Sequence, residues 1–115
     1  MTTPPLSPEQ LQLLKRRLLK KGSELAERLS ELLAGKQVRL EELLPRGGKP
    51  GETPIERLRR FMAIIDGALG RVRAGTYGRC EQCQAPLPFA HLEQVPWIDT
   101  CQACARQAAE GDGPR

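Results

Sequence analysis

The residues best suited to chemistry in this 115-residue chain are its four cysteines. They form two pairs, Cys80-x2-Cys83 and Cys101-x2-Cys104, separated by 17 residues. Each Cys-x-x-Cys can hold two thiolates on one side of a tight turn, and two such turns can close a tetrahedron around one Zn²⁺. Two independent redox dithiols, or four ordinary core thiols, are the alternatives; the paired spacing argues against both. Four protein sulfurs fill a tetrahedral shell, so the expected ion, one per chain, is structural rather than hydrolytic. Four thiolates and one divalent ion together add minus two, taking the formal charge from +4 to about +2. His91, the single histidine, lies between the pairs. With the shell already filled it reads as a surface or hydrogen-bonded packing residue. No nucleophile–base pair, phosphate-cradling glycine loop or open metal position is legible, so an enzyme is not expected.

The elements that must carry these cysteines lie mostly upstream. Ser7-Pro8-Glu9-Gln10 is a helix start, with proline at the first helical position and Ser7/Gln10 as a capping box. Leucines then recur at Leu11, Leu14, Leu18, Leu25, Leu29 and Leu32, close to a heptad seam with one stutter near Gly22. Gly35 can end that helix. Thr53-Pro54-Ile55-Glu56 opens a second helix with the same signals. Its apolar residues Ile55, Leu58, Met62, Ile65, Leu69 and Val72 alternate by three and four, and Phe61 and Ile64 widen the stripe slightly. An isolated amphipathic helix on a globular core would show a broader stripe, so an antiparallel hairpin is preferred.

Between the helices, Val38–Leu44 is expected to form a short helix or to extend the first one. Residues 45–52, rich in proline and glycine, read as a mobile turn. Helix 2 should span roughly 33 Å at ~1.5 Å per residue, which makes the hairpin a thin arm with its tip far from the cysteines. The resulting fold class is mainly α. It comprises an N-terminal tail (1–7), an antiparallel coiled-coil hairpin (8–75, tip 35–53), a small four-cysteine zinc-ribbon-like module with a short C-terminal helix (76–110), and a flexible tail (111–115).

Composition agrees with an arm rather than a large core. Only four residues are aromatic, and Tyr77, Phe89 and Trp97 fall in the cysteine region, leaving Phe61 to the hairpin. No signal peptide or membrane-spanning run is visible, so a cytoplasmic location without membrane attachment is expected, a compartment that keeps thiols reduced. Charge is uneven. Lys15, Arg16, Arg17, Lys20 and Lys21 sit early in helix 1, and Arg71, Arg73 and Arg79 late in helix 2 or just beyond. Antiparallel pairing would bring both groups to the base, as a solvated face or as a docking patch for phosphate or an acidic protein. No aromatic is interleaved there, which argues against stacking on single strands.

From Gly75 onward the chain resembles the bacterial DksA/TraR four-cysteine zinc-finger family. The resemblance rests on Gly75-Thr-Tyr77-Gly78-Arg-Cys80-Glu-Gln-Cys83, Leu92-Glu93, Pro96 and Cys101-Gln-Ala-Cys104, with a helical hairpin immediately upstream. It implies a regulator that binds RNA polymerase rather than DNA. In such proteins the coiled coil enters the polymerase secondary channel and acidic tip residues act near the active site, often together with a nucleotide alarmone, guanosine tetraphosphate. The sequence departs from the family at the tip. The Asp-x-x-Asp-x-Ala pattern is absent, and the carboxylates near the hairpin end are Glu41, Glu42 and Glu52. Gln84 also stands where a glycine commonly follows the second cysteine. Three functions follow in order: a zinc-stabilised regulator of RNA polymerase, a zinc-finger adaptor with another partner, and nucleic-acid binding through the basic base. The contact residues for the first are Glu41 and Glu42 at the tip and Lys15, Arg16, Arg17, Lys20, Lys21, Arg71 and Arg73 at the base.

Overall fold

The computed structural model describes residues 6–45 and 49–111, the side chains of 108–111 excepted. The outer parts of both expected tails, 1–5 and 112–115, and residues 46–48 of the expected mobile turn lie outside the described residues. Helix α1 runs Pro8–Leu33 and helix α2 Pro54–Ala74. Helix α1 begins where the capping box demands: Gln10 N donates to Ser7 Oγ at 3.1 Å, and Ser7 N donates to Gln10 Oε1 at 2.9 Å. Leu6, just before the cap, is buried in the core that Leu11 also joins, the arrangement of a hydrophobic staple. The chain is therefore anchored before the helix begins, by the last two residues of the segment expected to be a tail.

Helix α1 ends at Ala34, with Gly35 at φ +84°. Gly35 N donates to the Leu32 carbonyl and Lys36 N to the Glu31 carbonyl, which uses up acceptors that a helix end would otherwise leave bare. Helix α2 starts on Thr53 Oγ1, which accepts from Glu56 N at 3.1 Å; the return bond from the Glu56 side chain is not made. It ends on Gly75 at φ +81°. In both glycines a Cβ would meet nothing within 4 Å, so the positive φ and not crowding calls for glycine.

The two helices pack antiparallel in register around Gly22, where an added Cβ would sit 3.6 Å from Ile65 Cγ2. Leu14, Leu18 and Leu25 are fully buried on α1, as the leucine spacing predicts. On α2 the deepest stripe is Leu58, Phe61, Ile65 and Ala68. Met62 and Leu69, expected in the seam, are only half-buried, and the stripe has rotated toward Phe61. The cause is a third body. The ring of Trp97 from the cysteine module meets Phe61 edge-on, 4.9 Å between centroids. The module thus lies along the hairpin, and one hydrophobic cluster runs from Leu6 through Leu92. The long hairpin expected from the sequence is present, with the module covering one side of it at Phe61.

The connection is also corrected. Residues 36–40 are irregular and 41–44 make a turn, in which Leu43 N and Leu44 N both donate to the Leu40 carbonyl. Leu40 and Leu44 are buried, each 6% exposed, and plug the open end of the hairpin. A helix over 38–44 could not continue α1 beyond the left-handed Gly35, and burying these two leucines satisfies the turn instead. After α2 come two short helices, α3 (Phe89–Gln94) and α4 (Gln102–Gly111). The β pairing among the described residues is a single antiparallel bridge, Arg79 to Pro86.

Candidate metal centre

The first knuckle is built by backbone bonds around Cys80. Gln84 N donates to the Cys80 carbonyl, and Cys80 N donates to the Ala85 carbonyl at 2.8 Å. That tight reversal forces Gln84 to φ +65°, the only positive φ at a non-glycine among the described residues. A left-handed backbone costs an ordinary residue about 1–2 kcal/mol, which supplies the physical reason for a glycine at this place. The second knuckle is a helix start. Ala105 N donates to the Cys101 carbonyl, and Cys104 N to Cys101 Sγ at 3.4 Å, so Cys101 caps α4 with its sulfur. Glu81 N donates to the Asp99 carbonyl at 2.8 Å and ties the two knuckles together.

These elements bring the sulfurs of Cys80, Cys83, Cys101 and Cys104 within 4.8 Å of one another. Cys83 Sγ and Cys101 Sγ are 3.7 Å apart. Zinc–thiolate bonds of about 2.3 Å in a tetrahedron set sulfurs roughly 3.8 Å apart, so the donor set fits Zn²⁺. Cys80 is buried and Cys83 exposed, so the cluster sits at the surface with one sulfur rooted in the core. The thiols of Cys80, Cys101 and Cys104 are shifted in different directions. Backbone N–H donation from Cys101, with further donors behind it, holds Cys80 down to about 6 despite its desolvation. Cys101 is lowered too, chiefly by the Cys104 N–H. Cys104, hydrogen-bonded to Cys101 and Cys83, is pushed up to about 12. Backbone donors thus favour anionic sulfur at Cys80 and Cys101, and a divalent cation is the counter-charge a four-thiolate set requires.

The module is fastened to the hairpin by groups the sequence assigned differently. Arg17 Nη1 donates to the Glu93 carbonyl at the end of α3, at 2.9 Å. Arg71 Nη2 donates to the Trp97 carbonyl at 3.4 Å, and its Nε lies 3.5 Å from Glu81 Oε1. Both arginines were candidates for partner contact; here they hold the chain's own module. Tyr77 Oη donates to the Pro96 carbonyl at 2.7 Å, and burial raises its hydroxyl to about 12 although Arg71 opposes the shift. His91 lies outside the sulfur cluster, and its Nε2 accepts from Gln102 Nε2 at 3.0 Å, linking α3 to α4. Periodicity carries no sign of these long-range ties. The aromatic at 77 and the proline at 96, conspicuous in the family-like motif, were the available clue.

The remaining candidates divide by exposure. Arg16, Lys20 and Arg73 are exposed, whereas Lys15 and Lys21 are half-buried. At the other end of the hairpin, Glu41 and Glu42 are exposed and make no hydrogen bond or ion pair with any described residue. Glu52 is not available: Arg60 Nε and Nη2 donate to its two oxygens at 2.7 and 3.0 Å. That clamp holds the Glu52 carboxyl below its ordinary value.

No protein-family model matches the chain. It is 39% identical over 49 residues to an uncharacterized protein of Aquifex aeolicus, a match over 43% of this chain that spans about a third (34%) of the relative's length. It is 31% identical over 101 positions to a protein of Caulobacter vibrioides named RNA polymerase-binding transcription factor DksA, covering 81% of this chain and 71% of that one. Its fold is similar to that of transcription factor DksA2 from Pseudomonas aeruginosa, with a TM-score of 0.70, 22% identity, and 93% and 89% of the two chains covered. The four-thiol knuckle pair, the hairpin it is fastened to and the extent of the Caulobacter match agree, and the chain belongs to the DksA family.

Proposed function

We propose that this chain is a zinc-stabilised transcription regulator that binds RNA polymerase, its hairpin entering the secondary channel. The observation that carries the reading is family membership through a relative named as an RNA polymerase-binding transcription factor. The sulfur cluster fits one structural Zn²⁺ per chain with no open coordination position, and the regulator acts by position and charge rather than by turnover. Of the tip carboxylates, Glu41 and Glu42 are those free to approach a partner's metal ion. Arg16, Lys20 and Arg73 are exposed cations that the module does not engage, available for the channel rim, with Lys15 and Lys21 beside them.

The test is co-purification of zinc-loaded protein with RNA polymerase, followed by in vitro transcription with wild type and Glu41→Ala/Glu42→Ala. The reading expects bound polymerase in both cases and a transcriptional effect in wild type alone. No binding and no effect on transcription would sink it. A second reading, an adaptor with a different partner, is supported by the tip itself. Its leucines face inward, Glu52 is tied to Arg60, and the Asp-x-x-Asp-x-Ala pattern is missing. That reading expects no transcriptional effect from the wild-type chain.

A further inference from the structure

Packing α1 on α2 and the cysteine module along one side leaves an apolar stripe on the other side of the hairpin, with Lys15 and Arg73 at its base end. At about 3.6 residues per turn, Leu19, Ala26 and Leu33 of α1 share a face turned away from Arg17, which holds the module. By the same periodicity Ile55, Met62 and Leu69 of α2 lie opposite the side of Arg57 and Arg71, which faces the connection and the module. Leu19 is 50% and Leu33 60% exposed, and the three α2 residues are half-buried. The third large exposed apolar side chain, Ile64, falls on the module side by periodicity. Ile55, Met62 and Leu69 repeat every seven residues, the spacing of a helix–helix seam, yet the deepest intramolecular stripe is Leu58, Phe61, Ile65 and Ala68. Helix α2 therefore carries more seam than its own α1 covers.

We propose that this face docks on the same face of a second copy of the chain, giving a reversible two-fold four-helix bundle. Self-complementarity is the reason to choose a second copy. An axis crossing the face at Ala26 and Met62 is consistent, to within one residue, with the Gly22–Ile65 register inside the hairpin. Across that axis Leu19 meets Leu33 of the second copy, Ile55 meets Leu69, and Met62 meets itself. The charged rim matches as well. Arg59 and Asp66 on α2 are exposed and without an ion-pair partner among the described residues. They stand seven apart on the edge of this face, and the same axis sets each Arg59 beside the other copy's Asp66. The alternative two-fold arrangement lays α1 over the second copy's α2 and brings Lys15 beside Arg73, like against like. The face is only about 20 Å long over the α2 seam at ~1.5 Å per residue, which suits a concentration-dependent dimer rather than an obligate one. The inference does not depend on polymerase binding.

Sedimentation equilibrium of the zinc-loaded full chain from about 1 µM to 1 mM tests it. A monomer–dimer equilibrium is expected, weakened at least tenfold by Leu19→Lys and by Met62→Lys, with circular dichroism and zinc content unchanged. Arg59→Glu alone and Asp66→Arg alone should each weaken the dimer, and the double exchange should restore it; a merely unfolded variant would not be rescued. A chain that stays monomeric to 1 mM overturns the proposal and leaves the face to a partner of another kind. A dimer indifferent to Leu19→Lys and Met62→Lys, or single charge variants that the double exchange fails to rescue, overturns it equally.

Discussion

The two ends of this molecule are both turns, and they are held in different ways. At the knuckle end, four sulfurs within 4.8 Å converge on one point. Nearby backbone donors serve those sulfurs: Gln82 N reaches Cys80 Sγ, and Cys104 N reaches Cys101 Sγ, each at 3.4 Å. At the tip end, residues 36–45 have no such centre. They are held by Leu40 and Leu44 in the core and by Arg57 Nη2 donating to the Pro45 carbonyl at 2.7 Å, and the Glu52–Arg60 clamp fixes the chain's return into α2. Metal-ligand geometry is directional and intolerant of substitution, whereas hydrophobic plugging is not directional and accepts many sequences. The knuckles therefore leave little latitude in residue type or spacing, whereas the tip can be closed by many sequences.

The sharpest way to break the comparison is to remove a sulfur. Cys80→Ser or Cys101→Ser, or chelation of the metal, should unfold the C-terminal module while α1 and α2 retain helicity. Structural zinc contributes on the order of 10–16 kcal/mol of apparent binding energy in small peptides. Zinc stoichiometry with circular dichroism reads this out, and a fully folded metal-free chain would contradict it. At the other end, Leu44→Ala should cost about 2 kcal/mol, the low end for a buried leucine because the site is at the edge of the core. Urea denaturation should register that loss with zinc content intact; a concomitant loss of zinc would mean the two ends are not separable.

Smaller effects sharpen how the module is attached. Tyr77→Phe removes a buried donor from the Pro96 carbonyl and should cost about 1–2 kcal/mol, seen as a lower thermal midpoint. Gln84→Gly should act in the opposite direction. Relief of the left-handed strain outweighs the added unfolded-state freedom by up to about 1 kcal/mol, and zinc-competition titration should show tighter binding. The weakest effect belongs to the tip clamp. Arg60 lowers the Glu52 carboxyl, so the stabilisation is present at neutral pH, above the ordinary carboxylate value, and lost as pH falls through the lowered one. The difference in thermal midpoint between wild type and Glu52→Gln should shrink on acidification; a difference that widened would reverse the assignment.

What could be read from the chain alone was whatever is local. Ser7 with Gln10, Thr53, Gly35 and Gly75 bound the two long helices because capping and left-handed termination involve neighbours within a few residues. The sulfur cluster was legible for the same reason: each knuckle is a four-residue turn, and metal geometry restricts how two of them combine. Contacts between distant segments were not legible. Periodicity placed Met62 and Leu69 in the seam, and only docking of Trp97 on Phe61 decided that the buried stripe lies one residue over. Arg17 and Arg71 have the same sequence character as Arg16 and Arg73, yet the first two donate to the module's backbone, Arg17 while still exposed, and the other two face solvent. That choice depends on which carbonyls the folded module presents. Residue type and spacing determined the helices and the four-sulfur cluster; the tertiary structure alone decided which cations hold the chain's own module, because burial and hydrogen bonding engage side chains only once separate segments meet.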